Sequence, residues 1–339
     1  MSDGPGVRIT LGRADGLPEG PRDPVQLTPV RRPGSVRRTT SLDQRRGDAG
    51  EAQHIVGVGR DLLTYADGTT EVLDEARIDA TVVWGVITAI EVDPPVPALE
   101  GLVGHPVSKG LRQRADTLVP EHRDGATVLH QLLDDFPIAA LISGYGSSRE
   151  TPDFTLPPEA AESMTDLCAG WEASGTMLTG LRTTGLFPIP LGPPAPTLEP
   201  VDDPLGSHAL PPMAHRSVRR RRRLDVWEHD GVVVVDVHFR DSHLGLEGPE
   251  DVLHEYTLAV TADPADLVVR TSKATAHVLP WPECPGSLAS AGRVVGLPVS
   301  GLRPHVASKF TGTTTCTHLN DSLRSLAGVA ALAKALPAI

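Results

Sequence analysis

Polar and apolar positions change period along the chain, and the changes mark its elements. From Val36 the chain reads as structured. The runs Arg37–Asp43 and His54–Asp61 precede an Asp67-Gly68 turn signal, and Ala76–Ile90 alternates and is rich in Val, Ile and Thr. This predicts a hairpin and further strands, which Asp93-Pro94-Pro95 ends. Helical spacing follows from about Leu111–Arg114 and over Thr127–Phe136. The order then recurs. Asp230-Gly231 turns the chain into the β-forming run Val232–Phe239, and Val252–Val260, Leu267–Lys273 and Ala274–Leu279 read as strands. Pro280-Trp281-Pro282-Glu283-Cys284-Pro285 breaks the sheet, and Leu319, Leu323, Leu326 and Ala330 then repeat at the three-and-four spacing of a buried helix face.

Four segments follow from this. Residues 1–34, rich in Gly, Pro, Arg and Asp, read as a flexible tail. Residues 35–150 and 218–339 are the two structured units. Between them, 151–217 reads as a helix, started at Pro157-Pro158-Glu159 and carried through Ala160–Leu178, followed by an extended linker through Pro188–Pro196.

The two units also match in order. Arg60-Asp61 falls on Arg240-Asp241 and Val72–Glu75 on Val252–Glu255. Gly104–Ser108 resembles Gly296–Ser300, and Ala126–His130 resembles Thr314–His318. The expected fold is α+β: two tandem copies of an antiparallel sheet with helices on one face, a pseudo-dimer made by duplication. His254, Cys284 and Cys316 have no equivalents in the first copy, where only His130 stands opposite His318. The chemistry is therefore expected in the second.

Composition narrows the function. With 339 residues there is room for two or three domains, and 4% aromatics leave the core to aliphatic side chains. A net charge of -12 argues against nucleic acid and anionic membranes as partners. No apolar run is long enough to span a bilayer, and the start of the chain lacks a basic and apolar leader. Three cysteines, an odd number, fit a reducing compartment, so the expected location is the cytoplasm. The basic block Arg216–Arg223 has no interleaved aromatics; it reads as a solvated strand entrance or a clamp for an anionic substrate.

The densest chemistry lies in Thr314–Arg324. Thr313–Thr315 are candidate helix caps, which places Cys316 in or before a first turn, where the helix dipole favours a thiolate. His318 and Asp321 share a face, as do Asp321 and Arg324. Cys316 and His318 are two apart, so both reach one ligand only if Cys316 sits at the cap. Two thiols and two imidazoles, Cys284, Cys316, His254 and His318, suit Zn or Fe, with Asp241 or Glu283 in reserve. Arg240 and Arg324 would then contact an anionic small molecule. Without a metal, Cys316 would be the nucleophile, His254 or His318 its base and Asp241 the orienting acid. His238, His243 and His277, on strand-like runs, read as internally satisfied. No nucleotide-cofactor motif is present.

Arg240-Asp241, His254-Glu255-Tyr256, Leu279–Cys284, Gly296 and Cys316-Thr317-His318-Leu319 resemble the bacterial "domain of unknown function 2889" family over about residues 218–335. That resemblance implies a fold and site positions but no activity. A fainter likeness is to the U-type iron–sulfur cluster scaffolds, whose two late cysteines Cys284 and Cys316 would match. The third scaffold cysteine has no counterpart here unless Asp241 or His254 takes its place. These readings imply a metal-assisted hydrolase or lyase, or a metal-binding module that works with a partner protein.

Overall fold

Strands β2 (Ser35–Arg46), β3 (Ala52–Thr64), β4 (Thr70–Val83) and β5 (Val86–Asp93) form a meander, and β8 (Ser217–His229), β9 (Val232–Leu244), β10 (Asp251–Ala262) and β11 (Val269–Val278) form another. They join edge to edge into one antiparallel sheet in the order β11-β10-β9-β8-β2-β3-β4-β5. The central pair, β2 with β8, runs in unbroken register from Ser35 opposite Trp227 to Arg45 opposite Ser217. A separate small sheet holds β1 (Ile9–Arg13) between β6 (Thr155–Leu156) and β7 (Leu186–Ile189). This computed structural model describes residues 9–13, 16–46, 52–108, 110–150, 155–156 and 162–337. The fold is α+β, as expected. The runs Leu267–Lys273 and Ala274–Leu279 turn out to be one strand, β11.

Both meanders carry a bulge at the same place. Asp61 stands opposite Asp74 and Leu62 opposite Val72, so Leu73 is the extra residue; Asp241 stands opposite His254 and Ser242 opposite Val252, so Leu253 is. A bulge turns the side chains beside it toward one point. It sets Asp241 beside His254.

Helices α1 (Leu111–Leu118), α2 (Pro120–Asp124) and α3 (Val128–Glu150) serve the first meander. In α3 the buried residues Val128, Leu129, Leu132, Leu133, Phe136, Ala139 and Ala140 repeat at helical spacing and pack with Leu42, Ile55 and Ile78 of the strands. Each large side chain so buried is worth about 1.5–3 kcal/mol. A second core under β8–β11 receives α5 (Leu302–Lys309), α6 (Thr317–Ser325) and α7 (Val329–Lys334). In 151–217 the expected helix start at Pro157–Glu159 lies outside the described residues. Beyond it, a 3-10 turn (Ala169–Trp171) and the helix α4 (Thr176–Thr184) replace one continuous helix.

Over the central strands and β10, the other face of the sheet is covered by backbone. From residue 16 onward, the stretch expected as a flexible tail packs down: Val25 N–H donates to Glu255 (2.8 Å), Thr28 N–H to Leu198 O (2.8 Å), and Arg31 pairs with Asp203. The extended linker is present, but lies against β10, with Val252 N–H bonded to Pro193 O (2.9 Å) and Ala195 N–H to Glu250 O (2.8 Å). Aperiodic Gly- and Pro-rich segments look solvated in sequence. Here their carbonyls and acids complete charged groups on the strands.

The basic block is the clearest departure from expectation. Arg219–Arg223 occupy β8, next to the sheet's centre, and alternate between its faces. On the helix side Arg220 binds Asp241 (2.9 and 3.0 Å) and Asp321 (2.8 Å), and Arg222 binds Asp135 (2.8 and 3.1 Å); both guanidiniums lie over the Phe239 ring. On the opposite side, under the strap that residues 16–31 and 190–213 form, Arg219 binds Asp43, Arg221 binds Glu199, and Arg223 binds Asp225 and Asp236. Rather than a solvated entrance or a substrate clamp, the run is an internal ion-pair ladder. Buried charges persist only when paired and hydrogen-bonded, and here each has its acid.

Candidate metal centre

Asp241, His254 and His318 form the one group of three His, Cys, Asp or Glu side chains, among the described residues, whose ligand atoms all lie within 4.8 Å of one another. Asp241 comes from β9, His254 from the neighbouring strand beside the bulge, and His318 from the first turn of α6. His254 Nδ1 stands 3.7 Å from Asp241 Oδ2, and His318 Nε2 stands 3.6 Å from the same oxygen. The two rings stack, 3.7 Å between centroids and 18° from parallel.

These separations are too long for hydrogen bonds. They are close to what one ion requires, since two ligands about 2.1 Å from a tetrahedral Zn²⁺ stand about 3.4 Å apart. His254 Nδ1 is buried and has no hydrogen-bond partner among the described residues. Such an orphan normally costs about 1–3 kcal/mol. Arg220 grips Asp241 from the far side with two hydrogen bonds, which fixes the carboxylate with Oδ2 toward the rings.

The electrostatics keep both imidazoles neutral, the form that ligates. Burial, then the Arg220 charge, pulls His254 down to about 3. Burial and His254 hold His318 well below its ordinary value. Burial pushes Asp241 up to about 6 against the opposing pull of Arg220, and the nearby carboxylates Asp321 and Asp135 add to the rise. A dication at this point would relieve a carboxylate held in such surroundings.

Two of the four expected metal ligands, His254 and His318, are thus brought together, and Asp241 joins them in place of the thiols. Cys316 does occupy the N-cap of α6, with extended backbone (φ -133°) and its carbonyl bonded to Asn320 N–H (2.8 Å). Its Sγ lies 3.8 Å from Nδ1 of His318, the ring nitrogen turned away from Asp241. The helix dipole was expected to favour the thiolate. Burial outweighs it and pushes the Cys316 thiol up to about 12. Cys284 is buried in the second core, its thiol also raised by burial, and lies outside the Asp–His group.

Glu283, held in reserve, accepts from the N–H and hydroxyl of Thr176 (2.8 and 2.7 Å) at the start of α4. Arg240 faces away from the site. It binds Glu255 (2.6 Å) and the carbonyls of Pro196 and Val25 on the strap side, beside His238, so it cannot meet a substrate bound at Asp241. Arg324 is buried against Asp321 and Asp134. His238, His243 and His277 are hydrogen-bonded to Glu255, Asp251 and Thr257.

At the matching bulge the first meander holds a different arrangement. Asp61 binds Arg38 (2.7 and 2.6 Å) as Asp241 binds Arg220. The residue facing it is Asp74, spent on Val128 N–H at the start of α3 (2.7 Å). His130 turns instead to Asp116 (3.0 Å).

Fold and site define an α+β protein with a two-histidine, one-carboxylate cluster at the junction of a bulged strand pair and a helix N-terminus. Residues 218–332, which hold the whole cluster, match the family described as "Protein of unknown function (DUF2889)", bearing out the resemblance for the C-terminal part of the chain. No curated protein and no solved structure matches.

Proposed function

We propose that the C-terminal unit binds a divalent transition metal, Zn²⁺ or Fe²⁺, through Asp241, His254 and His318, and uses it in a hydrolytic or lyase step on a small anionic metabolite. The carrying observation is the buried, unpartnered His254 Nδ1 beside Asp241 Oδ2 at metal-ligand rather than hydrogen-bond separation. Three protein ligands leave coordination positions open, the arrangement of catalytic rather than structural sites, and two histidines with one carboxylate also suit iron. A bound ion there would activate water or polarise a substrate oxygen. This chain's own contribution is the fixed Asp241 orientation and the neutral imidazoles. The first unit, read as a diverged copy on the strength of the shared bulge and the Arg38–Asp61 pair, would act as scaffold.

Elemental analysis of the full chain, purified anaerobically without an affinity metal, tests this beside His254→Gln and His318→Gln. Near-stoichiometric Zn or Fe in wild type, lost in both variants with circular dichroism unchanged, is the expected result. Well-folded wild type that contains no metal and takes up none overturns it. Turnover then separates an enzyme from a metal-binding partner module.

A second reading rests on the Cys316–His318 contact, because sulfur, imidazole and the Asp241 carboxylate lie in the order a cysteine nucleophile needs. Thiol reactivity decides between the two.

A further inference from the structure

Away from the metal centre, a groove of about 770 Å³ opens on the helix side of the sheet. Residues of α1, α2 and α3 line one part, and residues of α5, α6 and α7 the other. Five cations (Arg38, Arg123, Arg303, Arg324, Lys334) and three carboxylates (Asp116, Asp124, Asp134) line it. The carboxylates are already engaged. Asp116 takes His130 and Arg303, Asp134 takes Arg303 and Arg324, and Asp124 takes Arg123.

Two of the arginines are built into the protein and left incomplete. Arg38, 2% exposed, uses Nε and Nη2 on Asp61, and its Nη1 has no hydrogen-bond partner among the described residues. Arg324, 8% exposed, uses Nε on Asp134 and Nη2 on Asp321, and its Nη1 is likewise without one. Gly328 keeps Arg38 clear, since a Cβ there would stand 2.9 Å from Nη1. A guanidinium held this rigidly, short of one acceptor and bordering a groove, is suited to a carboxylate or phosphate oxygen. The volume lies within the range of small-molecule sites.

We propose that this groove binds a small anion carrying a carboxylate or phosphoryl group, with Arg38 and Arg324 donating from the protein and Lys334 at the exposed end. The site is distinct from the Asp–His cluster, and its occupancy does not require a metal. The two are nonetheless linked through Asp321, which binds both Arg324 and the Arg220 that holds Asp241.

Titration calorimetry on the full chain, with chelator present to exclude metal, tests the proposal with inorganic phosphate and succinate as probes and chloride at matched ionic strength as control. Wild type should bind at least one probe, at least tenfold more weakly in both Gly328→Ala and Lys334→Glu. Phosphate alone binding assigns the phosphoryl group, succinate alone the carboxylate. Neither probe exceeding chloride, or unchanged affinity in Lys334→Glu, overturns it. Lys334 is exposed, so that variant carries the test even if Gly328→Ala fails to fold.

Discussion

The imidazoles of His254 and His318 lie face to face at 3.7 Å, each with one nitrogen turned toward the Asp241 carboxylate. Two protonated rings would repel at that distance, so the pair is assembled neutral. Cys284 has no place in the group and Cys316 approaches it from behind His318. Metal content should therefore survive Cys284→Ser and fall sharply in His254→Gln. Loss of the ion in Cys284→Ser would restore a thiol-containing ligand set.

Acid should destabilise the protein early. His254 and His208 are held down to about 3 and His238 to about 4, mainly by burial, and His318 is lowered too. Unfolded histidines titrate near 6.5, so below that pH the unfolded chain binds more protons than the native one. The stability these groups supply is complete above about pH 6.5 and is lost as pH falls toward their native values. Asp241, raised to about 6, works the other way between about 4 and 6, but it is one group against four. The urea midpoint should be lower at pH 5 than at pH 7.5, with a smaller difference in His254→Gln. A midpoint that rises on acidification would contradict these burial effects.

Arg220→Ala should cost about 3–5 kcal/mol in urea unfolding, because it leaves the buried Asp241 without its cation and takes one cation from Asp321. The Arg77–Asp79 pair, with both side chains nearly half exposed, offers the contrast: Arg77→Ala should change stability by no more than about 1 kcal/mol. Similar losses in both would show that the β8 ladder is not the buried network described above.

Gly192 sits against the backbone of β10, where a Cβ would fall 1.8 Å from Val252 O. Gly192→Ala must lift the strap from the sheet edge. Limited proteolysis should cut between residues 190 and 213 faster in this variant, with the sheet otherwise retained. Equal cleavage rates would mean the strap tolerates the shift.

Cys316, with its thiol pushed up to about 12, should resist iodoacetamide at pH 8 in the native protein and react only after unfolding. Rapid, selective alkylation of Cys316 at neutral pH would favour the cysteine-nucleophile reading.

Much of this was legible in residues. Val232–Phe239 and Val252–Val260 announce their strands by β-branched runs, and Asp230-Gly231 announces the turn between them. The period of Leu319, Leu323 and Leu326 announces a buried helix face, and the crowding of Cys316, His318, Asp321 and Arg324 falls in the stretch that carries His318 of the Asp–His cluster. His254 stands out because the first unit has Asp74 at the matching place, and His318 because it lies in that crowded stretch.

Local pattern therefore determined the strands, the helix faces, the α+β class and the neighbourhood of the site. Tertiary structure decided which side chains meet. Adjacent residues on a strand face opposite ways, so Arg240 and Asp241, neighbours in sequence, are separated by the whole sheet. Five consecutive arginines look solvated until β2 pairs with β8 and both faces are covered. The cap position of Cys316 suggests a reactive thiolate, and only burial, which the chain's remote segments create, reverses that. Periodicity is a property of nearby residues. Desolvation and ion pairing depend on residues from separate elements, distant in sequence, and these decided which side chains meet.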